Sequence, residues 1–204
     1  MKKSQDLSSV LLKIQKFAPT QGGVFSYGDL FHLIGAGDEL KNRRMINQLV
    51  KSGLLFKVQR GFYLSDKPDL WVLASRLKKD ACISLDTVLA KEALLGSLPT
   101  GSVSATYSGI RKLVIKTPVG LIRYFSMQRN LQFGYNTLAN GVRVADKEKA
   151  FLDILYFYAK GSKFAIDPVN EIDVRKLNKK KLKQYLKHYA NPKFVKFVKG
   201  VVGE

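Results

Sequence analysis

The first 64 residues contain three stretches with helical periodicity followed by two short alternating stretches, an order that few small folds share. Apolar side chains recur at helical spacing in residues 8–17, which predicts the first helix. Ser26 and Asp29 have the spacing of a helix-capping box, so we expect a second helix to begin there. Asp38 is a suitable cap for a third helix that runs to about residue 52.

The third predicted helix separates into an apolar side and a polar side when its residues are placed about 100° apart. The apolar side holds Met45, Ile46, Leu49 and Val50. The polar side carries Arg, Asn and Gln, which form paired hydrogen bonds with base edges, and Lys, which suits phosphate. The candidate DNA contacts on this helix are Lys41, Arg43, Arg44, Asn47, Gln48 and Lys51.

The two alternating stretches, residues 54–58 and 61–64, predict a β-hairpin with a basic tip. Three helices followed by a hairpin is the order of a winged helix-turn-helix, in which the third helix enters the major groove. Lys57, Gln59 and Arg60 are then candidate contacts to the flanking DNA backbone. Two other interpretations stay open: a solvated polar face, or a winged helix that contacts RNA or protein.

Beyond a plausible boundary at residues 66–69, the sequence predicts a second domain. Helices are expected at about 71–79, 87–95 and 146–158, and strands at 103–107, 113–117 and 121–125. We therefore predict an α+β fold, with a winged helix-turn-helix DNA-binding domain at 1–67. The rest, 68–204, is predicted as a mixed domain with a small antiparallel sheet and a basic C-terminal helix.

The basic C-terminal stretch has two equally supported interpretations. Residues 173–199 hold ten Lys or Arg and one acid, while Leu177, Leu182, Leu186 and Tyr189 recur at near-helical spacing. This pattern predicts a docked helix. Its lysines are either a second nucleic-acid contact, which attracts phosphate without reading bases, or a solvated face.

The formal net charge of +19 indicates a polyanionic partner. The single cysteine, Cys82, excludes an intramolecular disulfide and argues against a thiolate-rich metal site. The chain has two histidines, which argues against an imidazole-rich metal site. We expect no metal and no cofactor. No stretch has the form of a signal peptide or a membrane span, so we expect a cytoplasmic protein.

Catalysis is not expected from this sequence. Gly161-Ser162 followed by Glu171 and Asp173 loosely resembles a nucleotidyltransferase pattern, but a polar surface loop explains it better. Asp153 lies among apolar residues, where an ion-paired structural acid is expected more often than a functional one. A structure-specific nuclease, which would cleave strands with a metal, remains the enzymatic alternative.

Several motifs in order along the chain resemble the AbiEi antitoxins of type IV toxin–antitoxin systems. They are RGFYL at 60–64, ISLDTVL at 83–89, TPVG at 117–120 and ADKEKAFLDILY at 145–156. The resemblance implies a winged helix that binds inverted repeats in its own promoter and represses an antitoxin–toxin operon. It also implies a C-terminal domain that counters a nucleotidyltransferase-like toxin, with which it need not form a stable complex, in a phage-defence system.

Overall fold

The computed structural model describes residues 6–35, 37–96 and 101–203. Within them the α-helices are α1 (Leu7–Phe17), α2 (Tyr27–Ile34), α3 (Glu39–Lys51), α4 (Leu70–Leu77), α5 (Leu85–Lys91), α6 (Lys147–Ala159), α7 (Lys179–Leu186) and α8 (Pro192–Val202). The strands are β1 (Val24–Ser26), β2 (Phe56–Gln59), β3 (Phe62–Leu64), β4 (Cys82–Ile83), β5 (Ser102–Tyr107), β6 (Leu113–Thr117), β7 (Gly120–Ser126), β8 (Tyr135–Thr137) and β9 (Arg143–Ala145). Short 3-10 helices span Arg129–Leu131 and Val174–Lys176.

The N-terminal part has the predicted three helices and hairpin. Ser26 and Asp29 form the predicted capping box: the Asp29 N–H donates to the Ser26 hydroxyl at 3.1 Å, and the Ser26 N–H donates to the Asp29 carboxylate at 2.8 Å. The helices and the hairpin enclose one apolar cluster: Val10, Ile14, Phe25, Leu30, Ile34, Ile46, Leu49, Leu55 and Tyr63. The sequence did not predict β1, which pairs antiparallel with β3 and makes the hairpin a three-stranded sheet in the order β1-β3-β2.

The remainder confirms the α+β class but differs from the prediction in its sheet. Six strands form one sheet in the order β6-β7-β5-β4-β9-β8. Two of its pairs, β4–β9 and β5–β7, are parallel, so the predicted antiparallel sheet is in fact mixed. Parallel neighbours require a crossover, and here the segment that contains β6 returns β7 to the side of β5.

One predicted helix begins and ends earlier than expected. A helix was expected at about 87–95, whereas α5 spans Leu85–Lys91, and the side chain of Ser84, which precedes it, makes no capping hydrogen bond. Its hydroxyl instead donates to Asp153 of α6 at 2.7 Å. The helix stops before Gly96 because Ala93 adopts a left-handed conformation, with φ of 53°.

The basic C-terminal stretch folds into two helices where one was predicted. α7 packs on α6 through Leu182 and Leu186, and α8 packs through Phe194 and Val198. Asn191 caps α8 and Pro192 occupies its first turn, which places the break between the two helices. None of the helices in the described ranges combines the length and apolarity that a membrane crossing needs.

Candidate nucleic-acid interface

α3 has one buried side and one exposed side, as its sequence predicts. The Asp38 carboxylate accepts a hydrogen bond from the Leu40 N–H at 2.9 Å and caps the helix. Ile46 and Leu49 are buried against α2 and the hairpin, and Asn42 is buried beside them. All six predicted contacts on this helix are exposed: Lys41, Arg43, Arg44, Asn47, Gln48 and Lys51.

Arg43 differs from the other five because it already has a partner. Its guanidinium lies 3.0 Å from the Glu39 carboxylate one turn earlier, and both side chains are more than half exposed. A pair this exposed contributes at most about 1 kcal/mol, so a phosphate can replace the carboxylate at little cost. Arg43 therefore suits a backbone contact that forms on binding.

Leu40 is a candidate contact that the sequence analysis missed. Its side chain is 63% exposed, and its helical position places it between Arg44 and Asn47 on the exposed side of α3. An exposed aliphatic group among base-reading side chains matches the apolar contact that proteins make with the thymine methyl group. Its position on the helical wheel could have identified it, had an apolar residue been considered for recognition.

The hairpin forms the predicted wing. Lys57, Gln59 and Arg60 are all exposed, and Gly61 has φ of 84°, a conformation that glycine allows in the turn. Between Lys57 and Gln59 the register with β3 shifts, which marks a β-bulge. Phe56 at the start of β2 is 42% exposed, a second apolar group near the basic side chains.

Backbone hydrogen bonds fix the wing relative to the helices. The N–H groups of Leu54 and Leu55 donate to the Leu49 carbonyl at 3.0 and 3.1 Å, which joins the end of α3 to β2. The Tyr27 N–H donates to the Gly61 carbonyl at 2.8 Å, which joins the wing turn to α2. The elements that carry the nine candidate residues are therefore held in one hydrogen-bonded unit.

Arg76 of α4 connects this unit to the rest of the chain. Its Nη1 donates to the Val24 carbonyl at 2.7 Å and to the Asp29 carboxylate at 2.9 Å, and its Nη2 donates to the Gln21 side chain. Val24 and Leu64 also belong to the larger apolar core, on the side of α4. The winged helix thus contacts its neighbour through both apolar packing and a charged side chain.

Cationic side chains cover α7 and α8. The exposed lysines on these helices and directly after α7 are Lys179, Lys180, Lys183, Lys187, Lys193, Lys196 and Lys199. No Asp or Glu occurs from residue 174 to 203, so this surface has no acidic side chain of its own helices to offset the charge. The exposure of these lysines agrees with both interpretations of this segment, a phosphate contact and a solvated face.

The buried acids have structural partners. Asp153 accepts hydrogen bonds from Lys149 and Ser84, and all three side chains are buried. Burial raises the pKa of Asp153, while Lys149 and Ser84 oppose that rise. Asp153 is thus the ion-paired acid that the sequence favoured.

Asp173, an acid of the nucleotidyltransferase-like pattern, is also paired, and the thiol of Cys82 is buried. Asp173 pairs with Arg175 at 2.8 Å, and Gly161 and Ser162 lie in the turn after α6. Burial raises the pKa of the Cys82 thiol to about 12, which keeps it protonated and poorly nucleophilic. Among the residues with described positions, no three His, Cys, Asp or Glu side chains are grouped as metal ligands.

Comparison with known proteins agrees with the winged helix. Residues 13–65 match the model of the AbiEi antitoxin transcriptional regulator family. The AbiEi match covers residues 13–17 at the end of α1, all of α2 and α3, and the wing, so the resemblance seen in the sequence is confirmed over this part. It supports DNA binding, transcription regulation and antitoxin activity as the class of function.

The fold of nearly the whole chain is shared with a solved structure. The crystal structure of the RV2827C protein from Mycobacterium tuberculosis matches with a TM-score of 0.63 and 14% identity, over 96% of this chain and 75% of that chain. At this identity the similarity shows a common fold and nothing about function. No curated protein matches the chain.

Proposed function

We propose that this protein is a DNA-binding transcriptional regulator of the AbiEi antitoxin type, in which α3 enters the major groove and the wing contacts the flanking backbone. The observation that carries the proposal is the exposure of all nine candidate residues on α3 and the wing, while the opposite side of α3 is buried. Recognition helices need this division because the buried side fixes the helix and the exposed side reads DNA.

The exposed residues divide by chemistry into two groups. Arg44, Asn47 and Gln48 carry the planar groups that pair with guanine or adenine edges. The remaining six supply phosphate and backbone contacts, which give affinity without sequence choice: Lys41, Arg43, Lys51, Lys57, Gln59 and Arg60.

The AbiEi resemblance supports the finer proposals. The protein binds inverted repeats in its own promoter as double-stranded DNA and represses the operon that encodes it. It counters a nucleotidyltransferase-like toxin, with which it need not form a stable complex, acts in the cytoplasm, and is not an enzyme. The winged-helix unit is residues 1–67, and residues 68–204 carry the antitoxin activity.

The first test measures DNA binding by fluorescence anisotropy. The duplex from just upstream of the gene is compared with a scrambled duplex of equal length at about 150 mM salt, near the physiological range. We expect a preference of about a thousandfold or more, as in specific regulators. Equal binding to both duplexes that weakens steeply with salt would instead assign the winged helix to RNA or protein contact.

Two substitutions distinguish recognition of bases from electrostatic attraction to the DNA backbone. Asn47→Ala should cost about 1–3 kcal/mol on the cognate duplex and much less on the scrambled one, because it removes a base contact. Lys57→Ala should weaken both duplexes alike and reduce the salt slope by about 1. Lys163→Ala, an exposed lysine outside the winged helix, is the matched control and should change neither property. Unchanged cognate binding by Asn47→Ala would contradict the assigned orientation of α3.

A further inference from the structure

β6 is the terminal strand of the six-stranded sheet, and its outer edge is open. It pairs with β7 over five residues and with no other strand among those described. In an antiparallel pair, alternate residues turn their N–H and C=O groups away from the partner. The outer edge of β6 therefore presents backbone donors and acceptors to which another strand can bind. The opposite edge of the sheet, β8, is three residues long.

Exposed aliphatic side chains are concentrated around this edge. Ile110 just before β6 is fully exposed, Val114 within it is 48% exposed, and Val119 in the following turn is 37% exposed. Leu113 and Ile115 are half-buried and pack on the core from the other face of the strand. A strand beside β6 would cover apolar surface on both faces, in addition to forming main-chain hydrogen bonds.

The charges beside this edge have one sign. Lys112, Val114 and Lys116 alternate along the strand and so share a face, and Arg111 is exposed next to them. No Asp or Glu occurs from residue 93 to 145. Asp80, which reaches this region from before β4, accepts hydrogen bonds from the N–H and hydroxyl of Ser108. The Lys112 ammonium lies 4.7 Å from the centre of the Phe125 ring, which keeps its charge beside the strand.

From these features we infer that β6 binds an extended segment of an acidic partner protein by strand addition. The segment alternates apolar side chains, which face Leu113 and Ile115, with Asp or Glu, which face Lys112 and Lys116. A second copy of this chain is a poorer occupant because each copy carries a net charge of +19 and brings the same cations to the edge. The inference does not depend on the DNA-binding role of the winged helix.

The test uses a synthetic nine-residue peptide that alternates valine and glutamate, added to the full chain labelled with 15N. We expect the largest amide shifts in residues 110–120, and slower hydrogen exchange at alternate β6 amides because they become hydrogen-bonded. A peptide of the same composition with its glutamates grouped should bind more weakly, since it cannot match the alternating faces.

Charge reversal supplies the variant and its matched control. Lys116→Glu should weaken binding of the alternating peptide roughly fivefold to tenfold, because an attractive cross-strand pair becomes repulsive. Lys180→Glu makes the same change of charge on α7 and should leave binding nearly unchanged. Circular dichroism verifies that both variants fold. Val114→Pro removes one outward backbone N–H of β6, so peptide binding by this variant is a second measurement of the edge.

Four results would overturn the inference. They are equal binding of the grouped-glutamate peptide, amide shifts confined to α7 and α8, displacement of the peptide by scrambled duplex DNA from the same amides, and a dimer in sedimentation that protects β6. The last two would assign the edge to nucleic acid or to a second copy. Each is distinguishable from failure of the regulatory proposal, which is measured on promoter DNA.

Discussion

Arg76→Ala should destabilise the protein because it removes the charged side chain that joins α4 to the winged helix. The guanidinium donates to the Val24 carbonyl, the Asp29 carboxylate and the Gln21 side chain. Hydrogen bonds to charged groups contribute about 1.5–3 kcal/mol each when well shielded. Arg76 and Asp29 are about one-third exposed, so water replaces part of this interaction. We expect a loss of about 2–3 kcal/mol in the free energy of unfolding, less than the full sum.

Urea titration followed by the fluorescence of Trp71 measures this loss, because the single tryptophan lies on α4 five positions before Arg76. Arg76→Lys should lose an intermediate amount, since an ammonium cannot reach three acceptors in the geometry of a guanidinium. Arg175→Ala removes an ion pair whose arginine is 88% exposed, so water replaces the interaction and the free energy of unfolding should hardly change. If Arg76→Ala costs no more than this control, the junction is held by apolar packing alone and our reasoning is refuted.

Three further substitutions test polar contacts of buried and half-buried side chains. Lys149→Met leaves Asp153 buried without its cation and should lower the free energy of unfolding, measured by thermal denaturation, by about 3–5 kcal/mol. A loss below about 1 kcal/mol would mean that Asp153 is protonated in the folded protein. Ser84→Ala removes a 2.7 Å hydrogen bond to Asp153 and should cost about 1–3 kcal/mol, whereas a neutral result would show that the bond has no net value. Burial opposes ionisation of Asp80, but hydrogen bonds from Ser108 outweigh it and hold the pKa of Asp80 below its ordinary value. Asp80→Asn should therefore destabilise the protein above about pH 4, with a difference that shrinks as the pH falls through the lowered pKa; a difference independent of pH would exclude this linkage.

Local signals predicted most of the elements that form the candidate interface. The capping residues Ser26 and Asp38 fixed where α2 and α3 begin, because a side-chain oxygen satisfies backbone N–H groups only a few residues away. The helical period then separated the buried side of α3 from the six exposed candidates. Leu40 on the same helix was not predicted, since only its polar neighbours were considered as DNA contacts.

Pairings between distant parts of the chain were not predictable in this way. β1 is three residues long, too short to show alternation, and it becomes a strand because β3 lies beside it. The parallel pairs β4–β9 and β5–β7 join segments about 60 and 20 residues apart, and no local pattern specifies which strands become neighbours. The open edge of β6 follows from that strand order and could not be identified before it was known.

The sequence by itself determined the first three helices, the caps of α2 and α3, the wing and the side of α3 that faces outward, because these depend mainly on contacts within one or two turns of chain. Only the tertiary structure decided the partners of buried and half-buried polar side chains. Ser84 has the sequence context of a helix cap, yet its hydroxyl binds Asp153, 69 positions away. Arg76 is one of many cations in the sequence, and its role at the junction appears only once Asp29 lies beside it. Such groups find partners where packing brings them, since a buried polar atom must be satisfied by whichever neighbour the fold supplies.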